Sequence, residues 1–163
     1  MDKPIETYWK IRLEKLKKTL EENNFEVYLS DSAAEAKSLV LDTIMPAAKP
    51  ASVAWGGSMT FVSSGLYAAL KDHPDVEVLD TFDKKISAEA MLERRRQALL
   101  VDLFITGTNA VTESGQLVNL DMIGNRVAAL TFGPRHVLVF IGRNKIVPDR
   151  ETAVARIKGY AAP

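Results

Sequence analysis

The 163-residue sequence contains no cysteine, and this absence excludes several kinds of chemistry. Without thiols, the chain as given cannot form a disulfide framework, a thiolate zinc site or an iron-sulfur cluster with ligands of its own. Histidine is also scarce, because only His73 and His136 occur. One lies beside a proline and the other at a predicted strand start, with no second ligand at zinc-type spacing. Both are interpreted as surface or capping residues.

Long apolar runs and an excess of one charge are absent as well. No stretch approaches the ~20 apolar residues that span a bilayer, and the charged N-terminus has no secretory h-region. The 21 basic and 21 acidic residues give a net charge of zero. Such a chain has no field to attract nucleic acid or an anionic membrane. The basic run Arg94–Arg96 fans out around a helix and forms no single stripe. We therefore expect a cytoplasmic protein with no nucleic-acid or membrane partner.

What the sequence does contain is a globular composition, with 47% hydrophobic and 26% charged residues. We expect one domain over residues 1–163, with an N-terminal helix over about residues 1–24 docked on it through Trp9, Leu13, Leu16 and Leu20. Apolar strands alternate with helical segments along the rest of the chain. This order predicts an α/β fold with a mostly parallel sheet flanked by helices. A strand is also expected over residues 25–29, and a helix from Ser32 that Met45-Pro46 stops near Ile44.

A first glycine-containing loop follows the predicted strand at Val53–Trp55. It reads Gly56-Gly57-Ser58-Met59-Thr60 and opens a predicted helix. It lacks the ending of a Walker loop and the second glycine of a nucleophile elbow. Two interpretations are open: its backbone N–H groups hold a phosphate or carboxylate, or it is a tight turn with Ser58 or Thr60 as the helix N-cap.

A second, longer polar stretch follows the buried strand that ends near Ile105. It contains Thr106-Gly107-Thr108-Asn109, then Thr112-Glu113-Ser114-Gly115, Asn119-Leu120-Asp121, Gly124-Asn125-Arg126 and Phe132-Gly133-Pro134. Ligands in open α/β sheets bind beyond the carboxyl ends of the strands. We therefore expect this stretch and the first loop to meet at that edge and form one site for a small anionic ligand.

These two blocks resemble the signature of the lactate-utilisation (LUD) domain family, and the resemblance covers about residues 53–158. It implies an α/β fold related to ribose-5-phosphate isomerase and CoA transferases. It also implies a place in an iron-sulfur system that oxidises lactate or a related 2-hydroxy acid. Because this chain has no cysteine, the clusters are expected in partner subunits, or in a cysteine-rich continuation beyond Pro163 such as many LUD proteins carry. The protein is expected to be the non-redox or ligand-binding component, with a homo-oligomer left open.

The resemblance also points to candidate site residues. Thr112-Glu113-Ser114-Gly115 is similar to the turn in which CoA transferases hold a nucleophilic glutamate, whereas the plain interpretation of Glu113 is a solvated residue in a hairpin turn. Asp121 is a candidate base or a partner that fixes Arg126, and Arg126 a candidate grip for a carboxylate or phosphate. The alternative is a structural Asp–Arg pair with Asn125 near a helix start. Lys145 either adds positive charge to the same site or flanks an edge strand. The remaining candidate ligand-binding residues are Gly56, Gly57, Ser58, Thr60, Gly107, Thr108, Asn109 and Asn119. A stand-alone transferase or isomerase that uses Glu113 or Asp121 is the alternative function.

Overall fold

The chain alternates between helices and short strands, as predicted for an α/β protein. The computed structural model describes residues 4–162. The helices are α1 (Pro4–Glu22), α2 (Ala33–Leu39), α3 (Met45–Ala48), α4 (Met59–Ser63), α5 (Leu66–Leu70), α6 (Ala88–Gln97), α7 (Asn125–Thr131) and α8 (Arg150–Arg156). The strands are β1 (Ser52–Trp55), β2 (Glu77–Leu79), β3 (Leu103–Gly107), β4 (Ala110–Thr112), β5 (Leu117–Val118), β6 (His136–Phe140) and β7 (Ile146–Val147).

Two units, each assembled from separate segments, make up the described chain. The sheet unit consists of residues 32–107 and 121–140, and the hairpin unit consists of residues 4–31, 108–120 and 141–162. The prediction of one domain over residues 1–163 is not tested by this division and stays a prediction.

The sheet unit contains a parallel four-stranded sheet in the order β2-β1-β3-β6. Successive side chains of a strand point to opposite faces, so its apolar strands build two separate cores. Val53, Trp55 and Ile105 face α4 and α5 and pack with Phe61 and Leu66. Ala54 and Phe104 belong to the opposite core, which includes Ala98, Val101 and Ala129 of α7. Each fully buried large side chain contributes roughly 1.5–3 kcal/mol, so the two covered faces hold the sheet together.

At the amino end of the sheet, Asp102 ties β1 to β3. Its Oδ2 atom accepts hydrogen bonds from the backbone N–H groups of Ala51 at 2.9 Å and Ser52 at 3.2 Å. Arg135 pairs with the other carboxylate oxygen at 3.1 Å. These hydrogen bonds fix the register between β1 and β3, and so the relative position of their carboxyl ends.

The hairpin unit is built on a three-stranded sheet in the order β5-β4-β7. The pairing of β4 with β5 is antiparallel, and that of β4 with β7 is parallel. The apolar face of α1 packs on this sheet through Leu16 and Leu20, against Val111 and Ile146. On the other side, Ala153 of α8 packs against β4 and β7. Helix α1 thus packs on the strands of its own unit, and its docking on a single LUD-type domain stays a prediction.

Two local predictions were wrong. Residues 25–29 form no strand, although their pattern alternates; Phe25, Tyr28 and Leu29 are exposed, and Lys17 donates a side-chain hydrogen bond to the Val27 carbonyl at 3.0 Å. Met45-Pro46 does not stop the second helix either. Proline has no backbone N–H to donate, and the helix accommodates it by changing to a π-helical turn at Val40–Ile44. The helix then continues to Ala48 and ends where Lys49 adopts φ 44°.

None of the helices within residues 4–162 is long and apolar enough to cross a membrane.

Candidate functional site

The strand order of the sheet unit reverses between β1 and β3. From β1 the chain moves outward to β2, and it then returns to place β3 on the other side of β1. The carboxyl ends of the two central strands therefore lie side by side at a topological switch point, where open α/β sheets bind their ligands. The loop that starts at Gly56 and the end of β3 at Thr106-Gly107 occupy this position.

Gly56 is required there because the backbone approaches β3 very closely. Its N–H donates a hydrogen bond to the Ile105 carbonyl at 2.9 Å. A Cβ on Gly56 would lie 2.8 Å from Oγ1 of Thr106 and 3.2 Å from the Phe104 ring. The first distance is shorter than real Cβ atoms show and the second is unusually tight, so the packing of the sheet favours glycine at this position.

The next two loop residues have different surroundings. Gly57 is exposed, and a Cβ built on it would meet no atom within 4 Å. Ser58 is buried and caps α4, since its Oγ accepts the Phe61 N–H at 3.3 Å. The N-cap interpretation of Ser58 is therefore confirmed. Thr60 lies in the first turn of this five-residue helix, and an anion-binding role of the loop stays a prediction.

Asp121 and Arg126 form a buried ion pair in the same unit. Oδ1 of Asp121 accepts from Nε of Arg126 at 2.8 Å and lies 2.6 Å from Nη2, and the two side chains are 10% and 9% exposed. Arg126 also donates from Nη1 to the Gly107 carbonyl at 3.3 Å, which ties the pair to the carboxyl end of β3. Oδ2 of Asp121 accepts the Val127 N–H at 2.8 Å, next to half-buried Asn125 at the start of α7.

This geometry agrees with the structural interpretation of the Asp–Arg pair. Both carboxylate oxygens of Asp121 are hydrogen-bonded, so a role for Asp121 as a base would require breaking the pair. A direct grip of Arg126 on a ligand stays a prediction.

Three predicted residues of the hairpin unit form a local network around the β4–β5 hairpin. Oδ1 of Asn119 accepts from the Thr108 hydroxyl at 3.0 Å and from the Asn109 N–H at 3.2 Å. Asn109 reciprocates, because its Oδ1 accepts the Leu120 N–H at 3.0 Å. Its carbonyl accepts from Nη1 of Arg156 in α8 at 2.6 Å. These side chains therefore close the base of the hairpin.

Glu113 occupies the turn of the same hairpin, at the position predicted from its Glu-Ser-Gly sequence. Its Oε1 pairs with Nε of Arg12 at 2.9 Å, with side-chain exposures of 37% and 17%. The guanidinium of Arg12 lies 5.1 Å from the centroid of the Trp9 ring. A carboxylate held in an ion pair must leave its partner before it can attack a thioester. The nucleophilic role of Glu113 stays a prediction.

Lys145 ends a short 3₁₀ turn, Arg143–Lys145, directly before β7. It is half-buried, and its N–H donates to the Gly142 carbonyl at 2.9 Å. Strand β7 begins at the next residue, Ile146. That Lys145 adds positive charge to an anion site stays a prediction.

The sequence supplies no cysteine, and residues 4–162 contain no cluster of three or more histidine or carboxylate side chains that could hold a metal ion. His73 instead accepts the Asp75 N–H on Nδ1 at 3.3 Å.

A polar cluster at the carboxyl end of β2 was not predicted from the sequence. Asp80, the residue after β2, accepts from Nε1 of Trp55 and from the hydroxyl of Tyr67, both at 3.1 Å. Burial and the bond to Asp80 raise the pKa of the Tyr67 phenol. The N–H of Lys85 and the guanidinium of Arg94 lower the pKa of Asp83 close by. An acidic residue directly after a predicted strand was the signal that could have revealed this cluster.

The model of the LUD domain family matches residues 13–163, nearly the whole sequence. The chain belongs to the LUD domain family, which associates it with lactate utilisation. No curated protein and no solved structure matches the sequence.

Proposed function

We propose that this protein is the non-redox, ligand-binding component of a cytoplasmic iron-sulfur system that oxidises lactate or a related 2-hydroxy acid. The family match over residues 13–163 is the single observation that carries this proposal. The redox step is assigned to a site outside these 163 residues because they offer no thiolate for a cluster. The clusters then belong to partner subunits or to a cysteine-bearing segment outside these residues.

We infer that the ligand site is the loop after β1. Gly56 is held against Thr106 by packing, which fixes the direction in which the loop leaves the sheet. The space around Gly57 is open, so a small carboxylate could reach its backbone without meeting a side chain. The loop also follows a central strand at the switch point of the sheet, where ligands of α/β proteins bind.

Arg126 would then act mainly by positioning the carboxyl end of β3 beside this loop. Its buried pair with Asp121 is neutral overall, and its bond to the Gly107 carbonyl fixes the end of β3. A neutral pair attracts anions only weakly over distance. We therefore expect modest affinity for a free acid, on the order of millimolar.

A ligand screen by thermal shift tests the site. Lactate, glycolate, pyruvate, a sugar phosphate and a CoA ester are added to the purified chain, and a ligand of the folded state raises its stability by about 2.7 kcal/mol at a hundred times Kd. We expect a response to the 2-hydroxy acids that Gly57→Val abolishes. Gly159→Val is the matched control, because the surroundings of Gly159 are equally open. A 2-hydroxy acid response that is equal in both variants would place the site elsewhere.

A separate assay tests the assignment of the redox step. The purified chain is incubated with lactate and an artificial electron acceptor, and no acceptor reduction is expected. Turnover by this chain alone would refute the non-redox role, whatever the ligand screen shows.

A further inference from the structure

The peptide unit between Trp55 and Gly56 starts the loop after β1, and it is held from both sides. Its N–H, on Gly56, donates to the Ile105 carbonyl of β3 at 2.9 Å. Its carbonyl, on Trp55, accepts a hydrogen bond from the hydroxyl of Thr81. The C=O and N–H of a trans peptide point in opposite directions, so β3 holds one side of this unit and Thr81 holds the other. Two hydrogen bonds therefore set the direction in which the loop leaves β1.

Thr81 supplies a donor at the point where the pairing of β1 with β2 ends. The two strands pair in parallel only as far as Leu79, which lies opposite Ala54. Trp55 is the next residue of β1, and it is fully buried, as is Thr81 with 6% of its surface exposed. A buried carbonyl that loses its only side-chain donor is left in an unfavourable environment. Loss of the Thr81 hydroxyl would therefore favour a reorientation of this peptide unit.

Thr81 is itself fixed by its two neighbours in the chain. Asp80 accepts from Nε1 of Trp55 at 3.1 Å, and its own carbonyl accepts from Nη1 of Arg94 at 2.8 Å. Phe82 donates its N–H to the Asp80 carboxylate at 2.8 Å, and its ring centroid lies 6.2 Å from that of Trp55. The threonine hydroxyl is thus directed at one carbonyl by a supporting set of packed and hydrogen-bonded side chains.

The loop depends on such an anchor because glycine restrains the chain least. Gly56 and Gly57 are adjacent, and a Cβ on Gly57 would meet no atom within 4 Å. Ser58 fixes the far end of this pair of glycines by capping α4. The direction of the Gly57 N–H therefore follows from the peptide unit before Gly56 and from the cap after Gly57.

We propose that Thr81 is a positioning residue for the loop after β1 and acts on Gly57 through the peptide unit between Trp55 and Gly56. This inference rests on the proposed function, in which the carboxylate of a 2-hydroxy acid meets the backbone at Gly57. Thr81 does not touch the ligand. Its hydroxyl holds the peptide unit in the orientation that presents the Gly57 N–H to the carboxylate.

Substitutions at residue 81 separate positioning from a general loss of stability. Thr81→Val keeps nearly the same shape but removes the hydroxyl, whereas Thr81→Ser keeps the hydroxyl. Thr112→Val is the matched control, because Thr112 is also buried. Its hydroxyl accepts the Gln116 N–H at 3.0 Å and bonds to that of Ser114 at 2.9 Å, within the β4–β5 hairpin. Urea unfolding gives the stability of each variant.

The first readout needs no ligand and follows the amide signal of Gly57 by nuclear magnetic resonance. We expect Thr81→Val to shift, broaden or split this signal, because the loop then exchanges between orientations. Thr81→Ser should restore the signal of the parent chain, and Thr112→Val should leave it unchanged. A folded Thr81→Val protein with the Gly57 signal of the parent would overturn the proposal.

The second readout is a titration with lactate, followed at the same signals. We expect Thr81→Val to weaken lactate binding by about tenfold and Thr81→Ser to remain within about twofold of the parent. Thr112→Val should bind lactate as the parent does, even where its stability falls as far as that of Thr81→Val. Equal affinities of Thr81→Val and the parent would show that Thr81 does not position the loop for this ligand. If the parent chain does not bind lactate, the proposed function fails, and the Gly57 signal without ligand still decides whether Thr81 positions the loop.

A measurement on the parent chain covers the case in which Thr81→Val does not fold. Because the Thr81 hydroxyl is buried and bonded to the Trp55 carbonyl, its proton should exchange with solvent at least about tenfold more slowly than that of a free threonine. Exchange as fast as in free threonine would mean that the bond does not hold the peptide unit, and the proposal would be wrong.

Discussion

Gly56 and Thr106 approach each other so closely that a methyl group on the glycine would lie 2.8 Å from the threonine Oγ1. The contact joins the loop after β1 to the carboxyl end of β3. Any side chain at residue 56 must therefore push two central strands apart or distort the loop.

Replacing Gly56 by alanine is expected to destabilise the fold by about 1–3 kcal/mol, the usual cost of overpacking a tight core. Urea unfolding measures it. Gly57→Ala is the matched control and should change stability by less than about 0.5 kcal/mol, because its Cβ meets no atom. Adding Thr106→Ala to Gly56→Ala should recover part of the loss. Equal stability of the two single variants would contradict the close approach.

Removing one member of the Asp121–Arg126 pair should destabilise the protein by about 3–5 kcal/mol, because the remaining charge stays buried without a partner. The double variant Asp121→Leu, Arg126→Met should be considerably more stable than either Asp121→Ala or Arg126→Ala. A double-mutant cycle from denaturant unfolding gives the coupling. Single variants as stable as the parent would show that the pair is dispensable.

Breaking the Arg12–Glu113 pair should have a small effect, since both side chains are partly exposed. Arg12→Ala and Glu113→Gln are each expected to change stability by about 1 kcal/mol or less.

A trapping experiment tests the nucleophilic role of Glu113. The protein is incubated with acyl-CoA substrates, treated with hydroxylamine and analysed by mass spectrometry, and we expect no covalent change at Glu113. A mass increase there that Glu113→Gln removes would establish the transferase alternative.

The stability of the protein should depend on pH through Asp149, the N-cap of α8. Hydrogen bonds from the side chain and the N–H of Thr152 lower the pKa of Asp149 below its ordinary value. Its contribution is thus present above the unfolded-state pKa and is lost as the pH falls through the lower folded-state pKa. Unfolding curves between neutral and strongly acidic pH measure this loss. Asp149→Asn should flatten the dependence; an unchanged profile would contradict the assignment.

Structural features that depend on interactions between residues close in sequence could be predicted, whereas those that depend on distant partners could not. The caps at Ser32 and Ser58 and the hairpin turn at Glu113 follow from short sequence patterns, and these predictions were correct. Residues 25–29 alternate like a strand, but a strand needs a neighbour, and no local pattern shows whether one is available.

The candidate site was predictable in position more than in chemistry. Loops after β1 and β3 could be placed by the order of strands and helices. The hydrogen bonds of Asn109 and Asn119 to backbone groups ten and eleven residues away could not, because they depend on the exact hairpin geometry. The same holds for the partner of Glu113, since Arg12 lies about a hundred residues earlier.

The division of the hairpin unit into three distant segments has a consequence for the order in which the chain acquires its structure. Helix α1 is synthesised before the other elements of this unit, whereas Val111 and Ile146, which cover its apolar face, follow much later. Strands β1 to β3 need no such late partner for their first pairings. Because distant contacts form more slowly than near ones, we expect the sheet unit to gain protection first. Pulse-labelled hydrogen exchange would then show protected amides in β1 and β3 while α1 still exchanges, and the reverse order would refute this. Until β7 is made, the nascent protein carries α1 with part of its apolar face uncovered, and we expect chaperones to bind there.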